Sequence, residues 1–289
     1  MVRCTVFALA LGLLTSPCLA QTAPPAADDW RTVSADNLLV LDTSRGRVLV
    51  EMSPEAAPLH VERMRLLAGR GFFDGLSFHR VIDWFMAQTG DPLGTGEGQS
   101  AYPDLTAEFT FRRGPQTPFV PVAQPQGSMT GFMNALPIET QPDALMGRTP
   151  DGKVHAWGIY CPGVAGMARG DANDSANSQF FLMRQAYPSL DKRYTAWGRV
   201  IDGLSVVRAL KAGGTPDGLV ADSPDRLTRV RVAADIPEAE RPTAQVLSTA
   251  SARFQALVAE TRQSRGADFS VCDIDLPVQV SGAQAAPAA

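Results

Sequence analysis

The amino-acid sequence predicts a mostly β protein with few helices. Residues 38–41 (Leu-Leu-Val-Leu) and 47–52 (Arg-Val-Leu-Val-Glu-Met) are apolar runs of strand length, and Thr43, Ser44, Arg45 and Gly46 between them read as a hairpin turn. Residues 226–232 alternate polar and apolar side chains, as a strand with one buried face does. Helical spacing is confined to short stretches. Val61, Met64, Leu67 and Ala68 recur at three- and four-residue intervals after Pro54 and stop at Gly69 and Gly71, and Leu204, Val207 and Leu210 form a second stretch ending at Gly213 and Gly214. Between them, residues 164–169, 178–183 and 195–200 read as further strands, and no internal repeat is visible.

The two ends carry different signals. Met1-Val2-Arg3 followed by an uncharged run over residues 6–14 and then Pro17-Cys18-Leu19-Ala20 describes a cleavable secretory signal over residues 1–20, its apolar part too short to span a bilayer. Pro17 before Cys18 departs from the small residue that lipoprotein processing expects, so no lipid anchor is predicted after cleavage. An exported, periplasmic protein is therefore expected. Residues 21–36, rich in Ala and Pro, read as a flexible leader. Residues 37–235 then form the main domain, and residues 236–289 an extension. In that extension Val246, Leu247, Ala250, Phe254, Leu257 and Val258 fall on one face of an amphipathic helix followed by a flexible tail.

Composition narrows the function. With 45% hydrophobic and 19% charged residues and a formal net charge of -4, the chain has an ordinary soluble surface and no basic excess to attract nucleic acid or anionic membrane. Cys4 and Cys18 leave with the signal. Cys161 and Cys272 remain, and in an oxidising compartment two remaining cysteines invite a disulfide, the alternative being two buried thiols. There is no Cys-x-x-Cys and no paired Cys/His spacing, so neither a zinc site nor a thioredoxin-like redox motif is supported and no metal is expected. Among three histidines, no Ser or Cys has a nucleophile context, which leaves hydrolase chemistry unsupported. Gly94-Thr95-Gly96-Glu97-Gly98 lacks the Lys-Ser/Thr and following helix of a phosphate loop and reads as a turn.

The most informative stretch runs Phe78-His79-Arg80-Val81-Ile82-Asp83-Trp84-Phe85-Met86-Ala87-Gln88-Thr89-Gly90-Asp91. On one strand Phe78, Arg80, Ile82 and Trp84 would share a face, and Val81, Phe85 and Gln88 could share one only after a bend or bulge. This stretch resembles the signature of the cyclophilin-type peptidyl-prolyl isomerases. Two later blocks are similar to that family in the same order: Gly166-Met167-Ala168-Arg169 with Asn173 and residues 177–182 (Asn-Ser-Gln-Phe-Phe-Leu), then Leu190-Asp191 with Tyr194 and residues 197–200 (Trp-Gly-Arg-Val). The resemblance covers roughly residues 37–235.

The resemblance implies a closed, eight-stranded antiparallel cyclophilin-like barrel capped by two helices. It implies an isomerase that acts without cofactor on X-Pro bonds of proline-containing polypeptides and would assist the folding of exported proteins; a monomer is expected. Arg80 matches the family's catalytic arginine. Phe85, Met86, Phe181 and Leu190 would line a slot for the proline ring, and Gln88 would bond the substrate backbone and help hold Arg80. Gln179 and Tyr194 would sit at the rim, and the main chain of Ala168 and Arg169 would pair with the peptide. The sequence departs from the family at Ser189, where many relatives carry an aromatic residue, at Tyr194, where eukaryotic relatives carry His, and at Arg169, where Asn is common. A second departure is the proline-dense insertion at about residues 112–157, whose Met129, Phe132, Met133 and Leu136 are expected to pack locally, with the insertion as a partial lid near the groove. Ser189 and this insertion keep open an alternative, a non-catalytic client-binding module or chaperone on the same barrel.

Overall fold

The computed structural model describes residues 26–282. The expected signal peptide at residues 1–20 lies outside the described residues. In chain order the elements are β1 (Trp30–Thr32), β2 (Leu38–Thr43), β3 (Gly46–Met52), α1 (Pro58–Gly69), β4 (Arg80–Val81), β5 (Met86–Thr89), β6 (Phe111–Arg113), β7 (Phe119–Ala123), β8 (Met129–Met133), β9 (Leu136–Thr140) and β10 (Val154–Gly158). They continue as β11 (Val164–Met167), β12 (Phe180–Met183), β13 (Ala196–Asp202), α2 (Leu204–Ala209), β14 (Leu227–Val232), β15 (Thr243–Leu247), α3 (Ala252–Arg265) and β16 (Val278–Ser281).

The main sheet has eight antiparallel strands in the order β14-β2-β3-β13-β11-β12-β5-β4. It is buried on both faces, which explains the unbroken apolar run at residues 38–41. Leu39 and Leu41 face an inner core with Val48, Val50, Phe180 and Trp197, while Leu38 and Val40 face a second core with Leu49, Phe181 and Met183. α1 closes the inner core with Val61, Met64, Leu67 and Ala68, and Pro58 sits in its first turn, where a missing N–H costs nothing. The sheet curls, but no continuous ladder joins its edges β4 and β14. An isolated bridge between Ser77 and Arg226 and the bonds Phe78 N–H to Asp225 O (2.8 Å) and Leu227 N–H to Leu76 O (2.8 Å) span the gap. The expected closed barrel is thus an open, curled sheet by its strand pairing. The physical reason is the short edge strand: β4 is two residues long, because the chain at Leu76–His79 runs as irregular backbone.

Residues within the expected insertion form a second, five-stranded sheet in the order β6-β10-β9-β8-β7. Phe132, Met133 and Leu136 are fully buried, and Asn134 turns the β8–β9 hairpin with a left-handed φ of 54°. The prolines that suggested a loop are compatible with strand: Pro121 lies on edge strand β7, and in β9 it is the carbonyl of Pro137 that is used, accepting from Ile159 N–H at 3.0 Å.

Three expectations for the termini change. Residues 30–36, expected to be a flexible leader, are ordered: Trp30–Thr32 pairs with Gln245–Leu247, and Arg31 grips the buried carboxylate of Glu51 through two bonds of 2.7 and 2.8 Å. Val246 and Leu247, expected on a helix, lie in β15, because Ser251 caps α3 by accepting from Phe254 N–H (3.1 Å) and so fixes the helix start beyond them. The tail is not free over its described part, since Val278–Ser281 completes a sheet of order β1-β15-β16. Cys161 and Cys272 are joined, with S–S at 1.97 Å, and tie this extension to the turn before β11.

Candidate active site

Sheet register builds the site. The segment expected as one re-aimed strand is a tight hairpin: Ile82 N–H donates to Met86 O (2.9 Å) and Phe85 N–H to Ile82 O (3.0 Å), which reverses the chain between β4 and β5. Arg80 therefore pairs with Gln88 across the hairpin. Gln88 in turn pairs with Phe181 on β12, and Phe181 with Gly166 on β11. Directly opposed residues share a face, so Arg80, Gln88, Phe181 and Gly166 form one row across four strands. Met86 and Ala168 join that face because each lies two residues from a member of the row.

The row ends in a cavity of about 180 Å³ lined by Arg80, Phe85, Met86, Gln88, Ala168, Arg169, Phe181, Leu190 and Tyr194. Gly166 lets two rings pack against the strand, since a Cβ there would lie 2.4 Å from Phe181 Cζ and 2.8 Å from Tyr160 Cε1. Behind Phe181 the Tyr160 ring stacks at 5.8 Å, and Tyr194 meets it edge-on at 5.9 Å. The structure thus brings together all but one of the expected site residues. Gln179 stands apart: it lines an adjoining polar cavity of about 280 Å³ with Gly96, Gly98, Asp104 and Asn177. It braces the site from there, accepting from Gln88 Nε2 (2.9 Å) and donating to the carbonyls of Gly96 (2.9 Å) and Gly98 (2.8 Å).

Arg80 is held at two points. Its Nε donates to Asp217 O (2.9 Å) and its Nη1 to Gln88 Oε1 (3.1 Å), while Nη2 makes no hydrogen bond among the described residues. Burial pulls the guanidinium below the usual arginine range, opposed by Tyr194 and Asp217, yet it remains a cation at any physiological pH. The cavity can accordingly offer an oriented pair of N–H groups beside an apolar slot. Arg169, expected to act through its main chain, also contributes its side chain, which lies over the rings of Tyr194 (4.6 Å) and Phe109 (5.5 Å).

Several readings of the surroundings need adjustment. His79 is buried, and burial lowers its pKa, opposed first by the Asp91 carboxylate. The glycine turn after the signature wraps Asp91, whose carboxylate accepts from Leu93 N–H (2.7 Å), Thr95 N–H (2.9 Å) and Gly96 N–H (2.5 Å). Residues 112–157 contribute nothing to the cavity lining, so the insertion is no lid. Sequence reasoning missed Trp84 and Tyr187, which pack on Phe85 at 5.9 and 4.5 Å, and the brace from Asp217. No periodicity signals these contacts, which arise from a turn and a distant loop.

Comparison with known proteins points to one family. Residues 38–232 match the family model described as cyclophilin type peptidyl-prolyl cis-trans isomerase/CLD. A Brucella suis protein named "Probable peptidyl-prolyl cis-trans isomerase" is 31% identical over 211 residues, covering 69% of this chain and 84% of that protein. A Rhizopus delemar protein named "Peptidyl-prolyl cis-trans isomerase-like 1" is 32% identical over 190 residues, covering 65% and 85%. Among solved structures, cyclophilin AquaCyp293 from Hirschia baltica superimposes with a TM-score of 0.79 at 35% identity, covering 88% of this chain and 94% of that one.

Proposed function

The chain belongs to the cyclophilin-type peptidyl-prolyl cis-trans isomerase family, and from that premise we infer how its own residues carry the reaction. It is an isomerase of X-Pro bonds. Rotation about such a bond loses amide resonance at a twisted midpoint, a barrier of about 18–20 kcal/mol. No bond is made or broken; a protein accelerates the turn by binding the twisted state better than either planar isomer. At the midpoint the prolyl nitrogen regains a lone pair and can accept a hydrogen bond. Arg80 supplies the donor.

The observation that carries this assignment is the split use of the Arg80 guanidinium. Nε and Nη1 are anchored by Asp217 and Gln88, which fixes the fork, and Nη2 is left for a ligand beside the apolar slot. Phe85, Met86, Phe181 and Leu190 hold the proline ring, Tyr194 and the Arg169 side chain border it, and Gln88 with the Ala168 main chain engages the peptide backbone as an added strand. Gln179 acts indirectly, by fixing the amide of Gln88. A donor that is already oriented costs no reorganisation when the lone pair appears.

The cellular setting follows from other features. The charge pattern of residues 1–20 and the Cys161–Cys272 bond support an oxidising, periplasmic location and a role in folding exported proteins. No helix among the described residues is long and apolar enough to cross a membrane. Among the exposed large apolar residues Leu59 and Leu66 share α1, and Trp84, Leu93, Leu219 and Val280 lie on other segments; the chain is taken to act as a monomer. The bonds linking residues 75–78 to 225–227 support the sheet behaving as a barrel with one irregular seam.

The test is cis-trans exchange of a short Ala-Pro peptide followed by NMR. Arg80→Ala should lower kcat/KM by roughly 10²–10³, the usual cost of removing one oriented transition-state donor. Equal turnover by the wild type and Arg80→Ala would refute the assignment.

A further inference from the structure

We propose that Trp84 and Tyr187 form an aromatic ledge that selects an apolar side chain on the residue following the substrate proline. The proposal rests on the site assignment above. Trp84 is 62% exposed, whereas Trp157 and Trp197 are 7% and 0% exposed. An indole left in water at the tip of a turn is an unusual placement for so large an apolar group. Yet the turn that carries it is not loose.

Both neighbours of Trp84 are pinned. Asp83 Oδ1 accepts from Nη2 of the buried Arg184 at 2.7 Å, and the same guanidinium donates to Leu210 O (3.2 Å) and to Arg208 O. On the other side Phe85 O accepts from the N–H groups of Arg184 (2.9 Å) and Gln185 (3.3 Å). The Trp84 ring lies nearly parallel to Phe85, with centroids 5.9 Å apart and planes at 23°. Tyr187 completes the group, 4.5 Å from Phe85 and 6.1 Å from Trp84. Phe85 is also a wall of the proline pocket, so the apolar wall continues outward from the pocket as three packed rings.

Polarity sets the direction of the chain. Gln88, Ala168 and Arg169 line both the proline pocket and the polar cavity beside it. A peptide crossing the pocket therefore has that polar cavity at one end and the three rings at the other. Arg80 and Gln88 are opposite each other, so the backbone engaged by Gln88 lies on the prolyl-nitrogen side and precedes the proline. The residue after the proline leaves past Phe85, toward Trp84 and Tyr187. A pre-positioned ring loses little freedom on contact, which makes such a ledge an effective selector.

The experiment measures kcat/KM by NMR exchange on two peptides, Ala-Pro-Phe and Ala-Pro-Gly, each blocked at both ends. The wild type should favour Phe over Gly by roughly five-fold, the scale of one aromatic contact. Trp84→Ser should bring the ratio close to unity, and Trp84→Phe should keep most of it. In a parallel titration the wild type's tryptophan emission should shift to the blue with Ala-Pro-Phe, and Trp84→Phe should lose that shift. A Phe-to-Gly ratio unchanged in Trp84→Ser, with Arg80→Ala inactive, overturns the ledge alone. Full turnover by Arg80→Ala overturns the site assignment and the ledge with it.

Discussion

Replacing Asp191 by Asn should stabilise the protein at neutral pH, by an amount that shrinks in acid. Asp191 follows Leu190, which lines the cavity beside Arg80, and its Oδ1 accepts from Tyr160 N–H at 2.9 Å. Burial raises its carboxyl from 3.8 to about 6, the Tyr160 bond opposes this, Glu139 adds to it, and Lys192 opposes it weakly, its ammonium lying over the Trp157 ring at 3.5 Å. The folded state therefore binds this proton more tightly than the unfolded chain. Between pH 3.8 and about 6 the native state holds more protons, so the contribution of Asp191 to stability falls as pH rises through that window. At face value the shift corresponds to about 3 kcal/mol. Water reaching this partly exposed group screens it to about 1–2 kcal/mol. Asn keeps the Oδ1 acceptor for Tyr160 and removes the charge, so urea unfolding at pH 7.5 should show Asp191→Asn more stable by that amount, with the gap narrowing by pH 4. The variant-minus-wild-type difference cancels Asp74, Asp91 and Asp225, whose pKa values are lowered and which titrate in both proteins. A variant no more stable than wild type at pH 7.5, or a gap that widens toward acid, would refute the reasoning.

Two further outcomes follow from the geometry. Gly166→Ala should reduce kcat/KM by on the order of tenfold, because its Cβ would displace the Phe181 and Tyr160 rings it would otherwise touch at 2.4 and 2.8 Å; steady-state kinetics beside a thermal melt separates this from unfolding, since overpacking costs about 1–3 kcal/mol. Cys272→Ser removes a bond between residues 111 apart in sequence, for which the chain-entropy model gives at most about 4–5 kcal/mol. Hydrogen exchange should show the loss first in Val271–Asp273 and Val278–Ser281, and uniform loosening of the whole chain would contradict it.

How much of this could be read in advance differs by element. The residues from Phe78 to Gln88 announce the site through their resemblance to the family signature, since an arginine among aromatic residues reads, taken alone, as a surface stack. Their arrangement was legible only in part: a bend was expected and Asp83 is a turn former, but no Gly or Pro marks a tight reversal, and only the hairpin puts Arg80 opposite Gln88. Prolines at 115, 118, 121, 125 and 137 outweighed a strand pattern in the insertion, although an edge strand and a strand start both tolerate proline. Val246 and Leu247 fit a helical face by spacing alone, and the competing signal was Ser251, a cap residue three positions before Phe254. The cysteine pair was legible from compartment and count, whereas the burial of Arg199 was not. Nothing local distinguishes that arginine from a surface one.

Arg199 shows why the added segments matter to a site they never enter. It is fully buried on β13, and desolvation pushes its guanidinium down to about 10, with Asp275 opposing. Its Nη1 donates to Ala135 O (3.3 Å) at the β8–β9 turn and its Nη2 to Ile274 O (3.4 Å) in the C-terminal segment, while its charge lies over Phe132 at 5.6 Å. Phe132 meets Phe254 of α3 edge-on at 5.8 Å, so one cation joins the main sheet, the inserted sheet and the extension. Removing such a cation would strand two buried carbonyls, which makes this junction expensive to open. The same core contains Met86, Phe181 and Leu190, which line the cavity beside Arg80, with the Tyr160 ring stacked on Phe181. The opposite face of β12 sends Phe180 into the other core, which is built from the main sheet with its helices and loops, so the sheet beside the cavity is packed on both faces. A slot that binds a twisted state better than a planar one must keep its shape within a fraction of an ångström. Packing on both faces of the sheet supplies that rigidity and leaves the cavity beside Arg80 open to a passing polypeptide.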